Sequence, residues 1–460
     1  MKLAYLLFLG GLAASFQPAC AQAPAALTGN WQGSLGPLTL TAHLSELNGA
    51  PTGTLDVVEQ NAKNLPLAVQ VRADSVYLRL AVAHALFAGR RAADGQSLAG
   101  EWRQNGRILP LTLARVAAGT AIGPRRPQQP QPPFPYKTED VTFRNDQAQV
   151  TLAGTYTVPA GKGPFPAVAL LTGSGAQDRN STLFGHQPFA VLADYLTRRG
   201  VAVLRFDDRG VGQSGGTLAG TTSLDYAADA RAALAWLRAR PEVRKNKVGL
   251  VGHSQGGTSA IEAASQPLGP DMLVLLAAPG LPGDELIVQQ VLALARLQKA
   301  DSTQLLSIEQ AQRQVVATIA QNPDNTQAHD KLLALLNQTN STDPTVLARL
   351  EAQIRQATSP GYRHLLADRP AATLPNVRCP VLALGGNKDA QVPATANLAA
   401  LKQGLQAGGN RDVTTQVLPG LNHLLQTAPT GSPGEYGTIE ETFAPTALQL
   451  IGNWLLAHGR

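Results

Sequence analysis

Five runs in the later part of the chain constrain the fold more than anything else in it. PAVALLTG (166–173), VAVLRFDDRG (201–210), KVGLVGHS (247–254), MLVLLAAPG (272–280) and PVLALGG (380–386) are apolar almost without interruption until polar or glycine residues close them. A strand with one wet face alternates, whereas a run with no polar face belongs to a parallel strand covered on both sides. Between these runs, FAVLADYLTRRG (189–200) and LDYAADARAALAWLRAR (224–240) carry helical periodicity, and Gly200 closes the first as a C-cap. Strand and helix in turn predict an α/β section from about residue 136 to the end, with right-handed crossovers. Residues 284–368 break the alternation. They read as amphipathic helices, DELIVQQVLALARLQKA and TVLARLEAQIRQA among them, separated by turns such as QNPDNTQ. A helical insertion this late in such a sheet predicts a cap above the strand ends.

The earlier part is of another kind. Within 28–116, WQGSL, LTLTAHL, GTLDVVE, LAVQV, VYLRLAV, LAGEW and LPLTLARV are short strand-like runs, with turns at Asn48-Gly49 and Asp94-Gly95. About seven strands predict a small all-β sandwich or barrel. A Gly-x-Trp pattern recurs at Gly29–Trp31 and Gly100–Trp102, and the lone histidines His43 and His84 read as packing residues. Residues 117–135, AAGTAIGPRRPQQPQPPFP, read as a semi-rigid Pro-rich linker. At the start, Lys2, the apolar stretch 3–14 and Ala19-Cys20-Ala21 form an export signal cleaved after residue 21. Gln17-Pro18 suits lipidation of Cys20 poorly. Cleavage leaves Cys379 as the sole cysteine, so no intrachain disulfide is possible. The expected location is therefore the periplasm or the exterior, and no later stretch is long and apolar enough to span a membrane. The net charge of +6 is scattered and forms no basic stripe, which argues against a nucleic-acid partner. No pattern specifies an oligomeric state.

Chemistry concentrates at LVGHSQGGTSA (250–260), where an apolar strand runs into Gly252-His253-Ser254-Gln255-Gly256 and then into helix formers. This is G-x-S-x-G in its required strand–turn–helix setting. The turn needs glycine at 252 and 256, because strand and helix approach too closely for side chains. It lifts the Ser254 hydroxyl clear of the sheet and aims the Gln255 amide at a developing oxyanion.

A serine hydroxyl needs a base, and the base needs an orienting carboxylate, following in the order Ser, Asp/Glu, His. Four histidines lie downstream. His329 and His364 fall in the helical insertion and His458 in the last helix; His423 alone sits in a loop after a strand-like run, TTQVL. The loop GNKDAQVP after the strand PVLAL offers one acid, Asp389. The second oxyanion donor is expected from the loop Thr172–Asn180, with the amide of Ser174 favoured, while Asp178 and Arg179 pair to brace the loop. The loop FDDRGVGQS (206–214) lacks the Walker and dinucleotide fingerprints, so it reads as structural, with Asp208 and Arg209 braced near the site.

The motifs SGAQDR, DDRGVGQS, GHSQGG and GNKDAQVP together resemble those of the α/β-hydrolase superfamily, specifically its secreted bacterial serine esterases. The β section resembles the amino-terminal extension of such hydrolases, with its GxWxGxL opening (Gly29–Leu35) and its GxWxQxGxxLPLxLxR ending (Gly100–Arg115). Thr172 departs from the pattern, since many relatives carry histidine there. The resemblance implies an α/β-hydrolase fold with a helical cap and a carboxylic-ester hydrolase acting on a small-molecule ester. Ser254 would be nucleophile, His423 base, Asp389 its orienting partner, and the amides of Ser174 and Gln255 the oxyanion hole. No cofactor or metal is implied, since the sequence has neither a Cys/His cluster nor H-E-x-x-H. Within the same chemistry, a serine peptidase or amidase of the prolyl-oligopeptidase type and an acyl thioesterase are the alternatives. A non-catalytic carbohydrate-binding or envelope-binding role is a further alternative for the β section.

Overall fold

In the computed structural model, the residues described are 27–35, 38–47, 49–57, 62–104, 106–117, 125–336 and 343–460. The export signal, Cys20 included, lies outside them. The chain divides into two units.

The first unit is an eight-stranded closed barrel in simple meander order. Its strands are β1 (Gly29–Leu35), β2 (Leu38–Leu47), β3 (Ala50–Val57), β4 (Ala62–Arg72), β5 (Ser75–Leu80), β6 (Ala85–Arg91), β7 (Ser97–Gln104) and β8 (Arg107–Val116). Closure removes the open edges a sandwich would leave. Both Trp strands flank β8, pairing Trp31 with Arg115 and Trp102 with Leu109, and both indoles are buried in the barrel core. Strand β6 is the one that the sequence reading misses. Its preceding turn is made by His84 in the left-handed region (φ 48°) rather than by glycine or asparagine, so the usual punctuation is absent. His43 bridges Asn30 and Asp56 at 2.8 and 3.1 Å, a structural role.

The second unit carries an eight-stranded sheet in the order β16-β15-β14-β13-β11-β12-β10-β9. Two antiparallel strands, β9 (Lys137–Asn145) and β10 (Val150–Val158), form one edge. The rest are β11 (Phe165–Leu171), β12 (Ala202–Phe206), β13 (Val243–His253), β14 (Met272–Leu276), β15 (Val381–Gly386) and β16 (Val413–Leu418), mutually parallel. β9 is legible only weakly, because KTEDVTFRN is an edge strand with most of its charges in water.

The continuous apolar runs do what two-sided burial requires. Along β11, Ala167, Ala169 and Leu171 face one core cluster, and Val168 and Leu170 face the other. The first cluster is covered by α2 (Ser223–Ala239), α3 (Gln255–Ala264) and α10 (Ala394–Ala407), the second by α1 (Pro188–Arg198) and α11 (Pro445–Gly459). At about 25 cal/mol per Å² of apolar surface removed from water, these two clusters dominate the unit's stability.

Between β14 and β15 lie α4 (Gly283–Leu297), α5 (Ser302–Gln321), α6 (Asn325–Leu336), α7 (Pro344–Ala357), α8 (Pro360–Ala367) and the single turn α9 (Pro370–Thr373). Ile287, Val316, Ile319, Leu332, Ile354 and Leu366 give this insertion a small core of its own. His364 of α8 ties it to the sheet domain through Ser223 at the start of α2, 2.8 Å away. The prolines at 127–135 do not simply space two units apart: Arg126, Gln128 and Gln129 hydrogen-bond to backbone groups at 184–185 and 437–443.

Candidate active site

Strand order already fixes where a ligand would sit. β11 lies between β12 and β13, so the connections leaving its C-terminal end and that of β13 diverge to opposite faces and open a crevice. The loop after β11 carries Thr172–Gln177, and the turn after β13 carries Ser254. Ser254 stands at φ 52°, ψ −122°, a backbone region that L-residues avoid. Its amide bonds to Leu276 O (2.9 Å) and its carbonyl accepts from Gly257 N (2.8 Å), which hold the turn. A Cβ at 252 would lie 2.3 Å from Gly256 O, and one at 256 would lie 2.3 Å from both Leu171 O and Thr172 O, so both positions require glycine. The expected elbow is therefore present in backbone detail.

A cavity of about 440 Å³ opens over Ser254. Ser174, Gly175 and Gln255 form its floor with Ser254. Its walls come from α4 (Leu286, Ile287, Gln290), α8 (Gly361, Tyr362, Leu365) and the loop residues Gln391 and Val392. Every described residue lining it is uncharged. Among the described residues, the amides of Ser174 and Gln255 donate to no protein group, and Ser254 Oγ has no hydrogen-bond partner.

His423 and Asp389, chosen by position in the sequence, meet directly: Nδ1 of the imidazole is 2.8 Å from Asp389 Oδ2, both side chains buried. The other carboxylate oxygen accepts from the amides of Gln391 and Val392, each at 2.8 Å, so the acid is locked at both oxygens. His253, immediately before Ser254, packs its ring 4.9 Å from that of His423, and its Nε2 lies 2.9 Å from the His423 carbonyl. Burial, with His423 beside it, pushes His253 down to about 4. A neutral ring therefore donates to that carbonyl at neutral pH and fixes the backbone carrying His423. The sequence reading passes over His253 because in a G-x-S-x-G pattern it occupies a variable position.

The bracing differs from expectation in its pairs. Arg179 does not pair with Asp178; it forks onto Asp207 (2.7 and 3.1 Å), while Asp178 caps the turn by accepting from Asn180 N, Thr182 N and Thr182 Oγ1. Adjacent residues point in divergent directions on a tight turn, and the nearer counter-ion comes from the next strand. Arg209 forks onto Asp229 at 2.8 Å. Asp208 faces the loop after β11: it accepts from Thr172 Oγ1 (2.6 Å) and Gln177 N (3.2 Å), and its own amide donates to Gln177 O. Burial, with Asp229 and Asp207 adding to it, pushes its carboxyl up to about 7 against those two hydrogen bonds. Thr172, the departure from the family pattern, is thus the hydroxyl that ties the loop to Asp208.

Sheet order, crossovers, serine elbow and late histidine loop define an α/β-hydrolase. Residues 186–429 match the family described as serine aminopeptidase, S33, and the chain belongs to that family. A curated relative, the esterase EstD of Thermotoga maritima, is 26% identical over 295 residues, 64% of this chain; the chain spans 61% of that relative's length. Among solved structures, the esterase Pf2001 of Pyrococcus furiosus aligns over 70% of this chain and 93% of its own, at 16% identity and TM-score 0.42. A proline iminopeptidase of Mycobacterium smegmatis aligns over 70% and 98%, at 18% identity and TM-score 0.42. Among the described residues no helix is long and apolar enough to cross a membrane, and no group of His, Cys, Asp and Glu could hold a metal ion.

Proposed function

We propose that this protein is an exported carboxylic-ester hydrolase working through an acyl-enzyme, with Ser254, His423 and Asp389 as its triad. The observation that carries the reading is the buried 2.8 Å contact of His423 Nδ1 with Asp389 Oδ2 beside a serine held at positive φ in the same unit. In the mechanism, His423 Nε2 takes the Ser254 proton as Oγ attacks the acyl carbonyl. Asp389 keeps the imidazole in the tautomer that leaves Nε2 free to accept, then stabilises the imidazolium. The amides of Ser174 and Gln255 receive the oxyanion. His423 passes its proton to the departing alkoxide, and a water activated by the same nitrogen releases the acid. The proton transfer requires a Ser254 Oγ–His423 Nε2 hydrogen bond, which forms as substrate binds.

The family description includes aminopeptidases, and the cavity bears on that choice. An aminopeptidase must hold a free ammonium group, which is most firmly recognised by a carboxylate partner. The described lining offers none, only hydroxyls, glutamine amides and apolar groups. It suits a neutral ester, of a size that a space of about 440 Å³ admits. The α4–α8 insertion would act as the cap that selects acyl length. Residues 1–21 would direct export, which the N-terminal mass of the protein from a periplasmic extract would test.

The decisive assay is hydrolysis of p-nitrophenyl esters from acetate to laurate by wild type and Ser254→Ala, alongside aminoacyl anilides and acyl thioesters. Ester turnover lost in Ser254→Ala, with the anilides untouched, is the expected result. Faster cleavage of the anilides would make the protein a peptidase, and faster cleavage of thioesters a thioesterase.

A further inference from the structure

The loop bearing His423 does not stand alone. Asn422 and Gln426 close it from within: Asn422 Oδ1 accepts from the amides of Leu424 and Gln426 (both 3.0 Å), and Asn422 Nδ2 donates to Gln426 Oε1 (2.9 Å). Residues 436–444 then hold it from outside. Gln426 Nε2 donates to Glu441 O (2.9 Å), Thr427 N to Glu441 Oε1 (2.6 Å), and Ala444 N to Leu425 O (2.8 Å). The same segment reaches the acid's loop, where Gln391 Nε2 donates to Tyr436 Oη at 3.0 Å. Both partners of the serine are thus positioned by residues 436–444, a stretch with almost no regular secondary structure.

What fixes that stretch comes from the Pro-rich segment far earlier in the chain. Besides its neighbour's carbonyl, Arg125 O, Arg126 reaches three distant carbonyls: Nη1 to Ile439 O (3.0 Å), and Nη2 to Gly437 O (2.6 Å) and Phe184 O (2.9 Å). The Gln128 amide pairs with the backbone of 442–443 almost as a strand would. Its Oε1 accepts from Thr442 N (2.6 Å) and Phe443 N (3.0 Å), and its Nε2 donates to Phe443 O (2.7 Å). From beneath, buried His186 touches Thr442 Oγ1 (2.8 Å), Tyr436 O and Gln426 Nε2 (each 3.0 Å).

We propose that Arg126 and Gln128 are positioning residues for catalysis: the Pro-rich segment is a strap that holds 436–444, and through it the loops of His423 and Asp389, in register with Ser254. The inference rests on the triad reading above. An irregular loop pinned by side-chain bonds has many nearby alternatives. A shift of about 1 Å between nucleophile and base is enough to cost roughly 100-fold in rate. The prolines of the segment limit its own conformational freedom, so Arg126 and Gln128 are presented with little entropy left to lose.

The test uses the full chain. Wild type, Arg126→Ala and Gln128→Glu are compared in the rate of Ser254 labelling by a fluorophosphonate, which needs an activated serine but no particular substrate. The pH dependence of kcat and the thermal midpoint are measured in parallel. Expected for Arg126→Ala are labelling and kcat slower by roughly 10- to 100-fold with KM within about twofold of wild type. Added guanidinium ion should restore part of the rate. A labelling rate and kcat equal to wild type in a folded Arg126→Ala overturn the proposal. If Arg126→Ala does not fold, Gln128→Glu decides. It keeps the acceptor for the Thr442 and Phe443 amides but sets an oxygen against the Phe443 carbonyl, and an unchanged labelling rate overturns the strap. A wild-type Ser254 that does not label at all overturns the nucleophile reading and the strap with it; failure of the strap alone leaves wild-type labelling intact.

Discussion

Replacing Ser254 by glycine should abolish hydrolysis and stabilise the protein, whereas alanine should abolish hydrolysis and stabilise it little. The difference is conformational. At φ 52°, ψ −122° the Cβ of any L-residue crowds the backbone, a strain of about 1–3 kcal/mol that alanine retains and glycine does not. Glycine in turn carries more freedom into the unfolded chain, which takes back roughly 0.5–1 kcal/mol. Loss of the hydroxyl costs neither variant a bond, because Ser254 Oγ has no partner among the described residues. The net advantage of glycine over alanine is about 0–2.5 kcal/mol. In a unit of this size that is a rise in midpoint of roughly 0–4 °C. Scanning calorimetry on the three proteins, with p-nitrophenyl ester turnover alongside, reads both halves. A glycine variant melting below the alanine variant would refute the strained turn. Residual turnover in either variant would refute Ser254 as nucleophile.

Other perturbations test the remaining parts. Asp389→Asn should lower kcat by about 10³–10⁴-fold, because its amide would force the His423 proton onto the wrong nitrogen; KM should change little in the same kinetic series. Gly256→Ala would place a methyl 2.3 Å from two carbonyl oxygens, and should cost at least about 3 kcal/mol in urea unfolding or prevent soluble expression. Acid sensitivity should trace partly to His186. Burial, with Arg126 nearby, pushes the ring down to about 4 from its ordinary 6.5. The folded state therefore favours the neutral ring. The stabilisation is whole above pH 6.5, falls away between 6.5 and 4, and is flat below, on the order of 3 kcal/mol in all. His186→Gln should flatten the fall in midpoint over that window; an unchanged slope would refute the assignment.

The parts of the fold that were legible are those in which a physical rule leaves a trace at short range. Two-sided burial makes apolar runs, and five such runs located the parallel strands. Strand–turn–helix packing needs glycine at two fixed offsets, and that located Ser254. Chain order then picked out His423 and Asp389, because loops after strands are the places from which a sheet of this kind presents side chains. β6 was hidden by a turn made with His84, and β9 by the polarity of an edge strand. The pairs Arg179–Asp207 and Asp208–Thr172 were hidden for a different reason. A charge on a tight turn selects its partner by direction in space, and sequence neighbours such as Asp178 are the wrong guide.

Arg126 and His186 show the same limit on a longer scale. Each meets partners more than 200 positions away, and several of those partners are backbone carbonyls, which every residue type supplies equally. No residue-type pattern can mark such a bond at its accepting end. It can be marked at the donating end, where an arginine and glutamines stand in a Pro-rich segment that composition alone reads as a spacer. A spacer gains nothing from a guanidinium with four carbonyls around it. The arrangement is understandable if the loop of His423, which must be accurate and yet cannot be a helix or strand, takes its rigidity from side chains instead. On that view the strain at Ser254 and the pinning of 422–444 are two sides of one requirement. Ser254 is held out of its preferred conformation by packed glycines, and the loop of His423, its proposed base, is held by hydrogen bonds drawn from residues about 300 positions earlier in the chain.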